Sequence, residues 1–391
     1  MKNNNIQRED RVSNLLFCIG FSLVVISRLL ERSALMNVSD VFLTTMTIVA
    51  VGFFFAKIIL SSHERREFIF GTLVVIVAMI TKIMAGNLTF LVVTCLAFIS
   101  MRGVNIRTVL KIDIAIKTLF LTVHGLVFMA DYMSGVEGVS EFIFSSAKGI
   151  GSSLYFVNPN TTGMIGLCIV LDMLYLKANK KVKDFMIPTL IMLIIFLITV
   201  SRAPLLVYIV YLLLQFIKNA RALTVLQRTA YPLLFILCLV VVVFVTPNTP
   251  IYNLFDGLLS GRVRTSFVAF NLVGVNILPS ASNATLLKDY TIDVFYIKCL
   301  VEFGVVTMLL YYLPHIILPP KASNESKRMS IVISVYLLFE TVVANIGFAT
   351  PYLILADCIY NGNDDRRTKW YSESNQASEH QSKMADGDIR K

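Results

Sequence analysis

Residues Leu233–Val245 read LLFILCLVVVVFV, and Leu190–Val200 read LIMLIIFLITV. Neither run holds a charge, and neither alternates polar with apolar positions. A barrel strand alternates, because one face meets lipid and the other the lumen. A continuous apolar run suits a helix that is apolar around its whole circumference. A backbone inside a bilayer must also satisfy its own hydrogen bonds, which a helix does. These two stretches set the fold class as helices in a membrane.

The composition agrees. The chain has 391 residues, 56% apolar and 15% charged, with a mean hydropathy of +0.73. Soluble domains average about 45–50% apolar and about 25% charged. The formal net charge of +10 therefore reads as a topology signal and not as nucleic-acid binding. Six cysteines (Cys18, Cys95, Cys168, Cys238, Cys299 and Cys358) sit in apolar runs with no CxxC pair. They read as small buried hydrophobes, with no metal and no cofactor implied.

About twelve helix cores can be drawn: Leu15–Leu30, Val41–Leu60, Phe68–Met84, Leu88–Met101, Ile112–Met129, Gly163–Leu176, Phe185–Val200, Ala203–Ile217, Tyr231–Val245, Ile292–Leu313, Met329–Asn345 and Phe348–Tyr360. The last two also read as one broken element. Several are short for a full span, which implies tilt or local thinning. Lys and Arg crowd alternate loops, as at Arg65 and Arg66, at Lys177, Lys180, Lys181 and Lys183, and at Arg366, Arg367 and Lys369. The other set of loops holds only Arg32, Lys148, Arg202, Arg262, Arg264 and Lys288. The positive-inside rule then places both termini in the cytoplasm. The first apolar run leads into RLLERSALM, so no cleavable signal peptide is expected. The expectation is an all-α polytopic membrane protein with one domain over 1–360. Its long outer loops span 130–162 and 246–291, and a polar, disordered cytoplasmic tail covers 361–391.

The outer cations are the exceptions to the charge rule. Arg202 lies at a tight hairpin tip in TVSRAPLL, and Arg262 and Arg264 lie in SGRVRTSF of the second long loop. One reading makes them interface anchors or partners of Asp256, Asp289 or Asp293. The other makes them an anion site, since a guanidinium forks onto phosphate oxygens. Arg264 reaches the same anion as Arg262 only if the segment is not helical, because positions i and i+2 of a helix diverge. Asp293, Glu302 and Asp289 are candidate bases. Asp293 and Tyr296 are i, i+3 and would share a helix face; a helix N-terminal carboxylate is the plain alternative for Asp293, and a buried tether for Glu302. Asn158 and Asn160 would make polar contacts or cap a helix. His124, within LTVHGLV, reads as a packed polar residue. The outer-loop acids are scattered, with no DxD pair.

Four stretches, in order, carry a resemblance. Asn158-Pro159-Asn160-Thr161-Thr162-Gly163, Thr199-Val200-Ser201-Arg202, Ser260-Gly261-Arg262, and Thr291-Ile292-Asp293-Val294-Phe295-Tyr296 followed by Glu302-Phe303-Gly304 resemble motifs of the Wzy-type O-antigen and capsular repeat-unit polymerases. Glu340 stands where that family often has a late glutamate. The likeness covers roughly 130–360. It departs in the first outer loop, where Lys148 is the nearest cation upstream of the PN segment and the family often has an arginine. The related O-antigen ligases usually carry a histidine at the start of the helix after the large loop, and TIDVFY has none.

The resemblance implies a GT-C-like, metal-independent glycosyltransferase. It would polymerise undecaprenyl-diphosphate-linked oligosaccharides on the outer face of the bacterial inner membrane, for lipopolysaccharide or capsule. Implied partners are that lipid-linked donor, membrane lipid, a chain-length regulator and a flippase. Arg262 and Arg202 would clamp the diphosphate; Asp293 and Glu302 would serve catalysis. Arg264, Asn158, Asn160, Lys148, Tyr296, Asp289 and Glu340 would bind substrate. The alternatives are an O-antigen ligase acting on lipid A-core, and a flippase or transporter. A transporter would show related halves or mid-membrane charges; Asp113 and Lys117 share one helix, but no inverted repeat is visible.

Overall fold

The computed structural model describes residues 2–361, apart from 62–64, 86–88, 137, 147–148, 178–179, 245–246, 248, 259–260, 289 and 320–321. The expected tail beyond 361 lies outside the described residues. In chain order the helices are α1 (Lys2–Glu31), α2 (Asp40–Leu60), α3 (Arg65–Ala85), α4 (Thr89–Ser100), α5 (Ile106–Met133), α6 (Pro159–Leu176), α7 (Val182–Thr199) and α8 (Arg202–Gln215). There follow α9 (Ala220–Phe244), α10 (Pro250–Leu258), α11 (Arg262–Val273), α12 (Ala281–Leu286), α13 (Phe295–Lys298), α14 (Val305–Ile317), α15 (Asn324–Tyr336) and α16 (Pro351–Asn361).

Among the described residues, six helices are long and apolar enough to cross a membrane: α1 from Arg11 onward, α2, α5, α6, α7 and α9. Four shorter apolar helices accompany them: Gly71–Met84 within α3, α4, α8 and α14. The chain is an all-α, multi-pass, membrane-embedded protein. Burial sorts the helices. In α6 nearly every side chain from Thr161 to Leu174 is buried, whereas α7 exposes Ile187, Leu190 and Leu197, and α9 exposes Leu233, Leu237 and Phe244. A helix that is apolar all round and still exposed belongs against lipid; one buried all round is the bundle's centre. Gly166 lets α7 approach α6 closely, since a Cβ there would fall 2.1 Å from Ile195 Cδ1.

Two expected helix cores are corrected, and the long loops show structure of their own. The core drawn over Ile292–Leu313 is broken. A π turn, Cys299–Phe303, follows α13, and the chain stops at Gly304 before α14. Gly304 has φ +81°, and a Cβ there would stand 2.6 Å from the Leu278 carbonyl carbon. The crossing segment is held by Asn276 N–H donating to the Leu300 carbonyl (2.8 Å) and by Val305 N–H donating to the Asn276 carbonyl (2.9 Å). Gly304→Ala combines a left-handed backbone, itself worth about 1–3 kcal/mol of strain, with an overlap against main chain. A lower unfolding temperature and less protein in the membrane are expected. An unchanged melting curve would mean that residues 276–279 can move aside.

The core drawn over Met329–Asn345 also fails to run through. Helix α15 ends at Tyr336, and only a 3-10 turn, Thr341–Ala344, follows before α16. Finally, the two long loops are structured. The first holds a 3-10 turn, Val139–Phe142, and an antiparallel pair of strands, β1 (Ile143–Ser146) and β2 (Gly149–Ser152). The second holds α10, α11 and α12. In α10, Tyr252 packs with Val241, Val263 and Phe255. Tyr252 and Phe255 stand at i, i+3, a helical period too short to register as a span.

Candidate functional site

The C-terminal ends of α1 and α3 and the N-terminal ends of α2, α4 and α6 border one cavity of about 740 Å³. Segments 290–293 and 340–345 complete its wall. The volume lies within the usual range of about 300–1,000 Å³ for a ligand site. Four cations face it, Arg28, Arg32, Lys82 and Lys298, together with the acids Glu31, Asp40, Asp293 and Glu340. The first turns of α2, α4 and α6 lie in the wall, and a helix N-terminus carries a partial positive charge.

Local hydrogen bonds position the first part of the wall. Arg32 directly follows α1, and its carbonyl accepts from Val157 N–H at 3.0 Å. Ser33 and Phe156 form an isolated antiparallel bridge, so the end of α1 is stitched to the chain just ahead of Asn158. Asn158 caps α6: its Oδ1 accepts from Thr161 N–H (2.8 Å) and from the Thr161 hydroxyl (3.1 Å). Asn160 Oδ1 accepts from the Ser201 hydroxyl at 2.7 Å. Both asparagines line the cavity, and the PN segment is thereby joined to the α7–α8 hairpin.

The second part is an arginine held by two acids. Arg262 opens α11 behind Gly261, whose φ is +85°. Arg262 Nη2 meets Glu340 at 2.9 Å and Nε meets Asp293 at 3.4 Å. Nε also donates to the Phe339 carbonyl at 3.0 Å. The Thr341 hydroxyl donates to the Asp293 carbonyl at 2.8 Å. Asp293 keeps 33% of its side chain exposed, against 11% for Glu340 and 9% for Arg262. Arg262 is absent from the cavity wall; it bridges the two carboxylates that do line it, and its single positive charge offsets part of theirs.

Several expected positions fall elsewhere. Arg202 is exposed at the start of α8 between the buried Ser201 and Ala203, and it is not part of the cavity wall. Neither Arg202 nor Arg262 is part of that wall. Because α11 is helical, Arg262 and Arg264 diverge as i and i+2: the first is buried and the second exposed. Arg264 contributes its backbone N–H to Asp256 Oδ1 at 2.9 Å. Tyr296 is fully buried and donates to the Ser334 carbonyl at 2.8 Å. It shares no helix face with Asp293, because α13 begins only at Phe295. Glu302 sits in the π turn, 3.6 Å from Lys298, and outside the cavity wall. Lys148 and Asp289 lie outside the described residues, as does Ser260 of the SGR stretch. His124 is packed: it stacks on Phe156 with ring centroids 4.2 Å apart and bonds the Ser33 hydroxyl at 2.7 Å. The six cysteines are free thiols, three of them buried.

The cavity cations were passed over in the sequence. Arg32 is one of the few outer cations, but its loop is tight and unremarked by any motif. Arg28, Lys82 and Lys298 fall inside helix cores, where a lone cation reads as an end anchor. The available signal was convergence: Arg28, Glu31 and Arg32 fall at the C-terminal end of one helix. No family model matches the chain, and no curated protein or solved structure does either. The cavity's own chemistry carries its reading: basic side chains that can meet an anion, set among acids, and a carboxylate one third exposed that can take a proton.

Proposed function

We propose that this protein polymerises undecaprenyl-diphosphate-linked oligosaccharide units, as an O-antigen or capsular polysaccharide polymerase. The observation that carries the reading is the convergence of Asn158, Asn160, Asp293 and Glu340, far apart in sequence, on one cavity with four basic side chains. The finer topology belongs to the same proposal: about twelve passes, GT-C-like architecture, the bacterial inner membrane, cytoplasmic termini, and a cavity opening to the outer face.

In this reading the diphosphate rests against Arg32, Lys82 and Lys298. An acceptor sugar hydroxyl attacks the donor's anomeric carbon. The bond from that carbon to the diphosphate oxygen breaks, a glycosidic bond forms, and the hydroxyl proton passes to Asp293. Fixed cations stabilise the charge that builds on the leaving oxygen. Asn158 and Asn160 supply polar contacts for sugar, and Arg262 orients the two carboxylates.

Reconstitution of the purified protein with lipid-linked repeat units tests this. A ladder of products is expected. Transfer only to lipid A-core would make it a ligase, and movement across the bilayer without chemistry a flippase. The ladder is expected to persist in EDTA, because basic side chains provide the counter-charge; loss of product, restored by magnesium, would reject that. Reporter fusions at Ser282 should read outside and at Ser323 inside. An inside signal at Ser282 would turn the cavity toward the cytoplasm and end the proposal.

A further inference from the structure

A second group of charges lies away from the cavity, inside the bundle. Asp113 and Lys117 are i, i+4 on α5, and both side chains are 0% exposed. Lys117 Nζ meets Asp113 Oδ2 at 2.5 Å and donates to the Phe348 carbonyl at 2.9 Å. Asp172, on the neighbouring α6, is also buried, and its Oδ1 accepts from the Thr350 hydroxyl. Asp172 is near enough to act electrostatically on both Asp113 and Lys117. Two oxygens, Asp113 Oδ1 and Asp172 Oδ2, are buried with no donor.

Two carboxylates and one ammonium leave one negative charge uncompensated in a bundle that crosses a membrane. Such a charge is strongly disfavoured there, and so is an orphaned acceptor. The other titratable groups facing the cluster are Cys168 on α6 and, beyond it, Tyr336 on α15; neither supplies a positive charge. One added proton resolves both faults. It cancels the charge and lets one carboxyl donate to the other through the two orphaned oxygens. A metal ion suits the place less well, because the Lys117 ammonium already occupies Asp113 and only two acids are present.

We infer that Asp113 and Asp172 form a proton-binding site in the interior of the bundle, one proton shared between the two carboxyls at neutral pH. The site ties α5, α6 and segment 348–350 together through Lys117 and Thr350, and Phe348 of that segment lines the cavity. It does not depend on which reaction the cavity performs.

Infrared spectroscopy of the purified protein in neutral buffer reads the proton directly, as a carboxylic-acid C=O band distinct from the carboxylate bands. The band is expected in the wild type, lost in Asp113→Asn and in Asp172→Asn, and retained in Glu340→Gln. If an asparagine variant fails to accumulate, Thr350→Val removes the hydroxyl on Asp172 and should shift the band. Absence of the band in the wild type overturns the site, as does a band indifferent to all three cluster variants. A melting temperature that rises with sodium or potassium over choline at fixed ionic strength, and loses that response in Asp172→Asn, would assign the place to a metal cation and overturn the proton.

Discussion

Arg32→Gln is expected to lower polymer synthesis on the order of 10²-fold while the protein stays in the membrane at its normal level. Arg28 is paired with Glu31 at 2.6 Å and Lys298 with Glu302 at 3.6 Å. Arg32 makes no side-chain ion pair among the described residues. Its guanidinium is near enough to Asp293 and Glu340 to act electrostatically on both, and its backbone is stitched beside Asn158. A fixed charge aimed at a leaving diphosphate stabilises the transition state in a way water would not, and losing one such group typically costs about 10²–10³ in rate. Glutamine keeps much of the volume, and a half-exposed residue at a helix end carries little of the stability, within about 0.5 kcal/mol for a surface change. Arg32→Lys should fall between the two, because lysine keeps the charge and loses the fork. Arg202→Gln should leave the ladder near normal, since Arg202 stands outside the cavity. The reverse result, a normal ladder in Arg32→Gln and none in Arg202→Gln, would move the anion to the α7–α8 hairpin.

The contrast between these two arginines marks how far the sequence could be read. Helix class and many boundaries were legible because apolar runs and bounding charges are local: Val41–Leu60 was drawn and α2 is Asp40–Leu60. The breaks at Gly304 and after Tyr336 were not legible. The first has residues 276–279 lying against the helix, the second has residues 292–295 bonded to Leu337 and Thr341, and no local pattern announces either contact. Individual site residues divide in the same way. Asn158 signalled itself because capping is local, and it proved to be a cap and a wall residue together. The meeting of Arg262 with Asp293 and Glu340 joins residues up to 78 positions apart. From sequence alone an outer arginine can equally be a clamp for substrate or a partner for acids, and packing decides it. Arg32 stands in the sequence only as one of a few cations in its set of loops, because nothing in its loop tells that it adjoins the PN segment.

Packing around Arg262 gives the other large effect. Arg262→Leu is expected to destabilise the protein by about 3–5 kcal/mol, because it strips the partner from Glu340 and Asp293. The readouts are a lower unfolding temperature and less protein in the membrane. Arg262→Lys should assemble better, since the charge remains, yet still make little polymer: a single ammonium cannot meet Glu340, Asp293 and the Phe339 carbonyl in the geometry a guanidinium provides. A double variant separates holding from catalysing. Replacing a buried ion pair by apolar groups is often neutral or favourable, while removing one member is costly. Arg262→Leu with Glu340→Leu should therefore regain much of the lost stability, the more so because Asp293 keeps a third of its side chain exposed and can be solvated from the cavity. It should not regain activity, because the carboxylate wall is gone. If the double variant were no more stable than Arg262→Leu alone, the arginine's worth would lie in its bond to the Phe339 carbonyl and not in charge compensation. If Arg262→Leu kept a full product ladder, neither carboxylate would need orienting, and Asp293 would lose its place as the base.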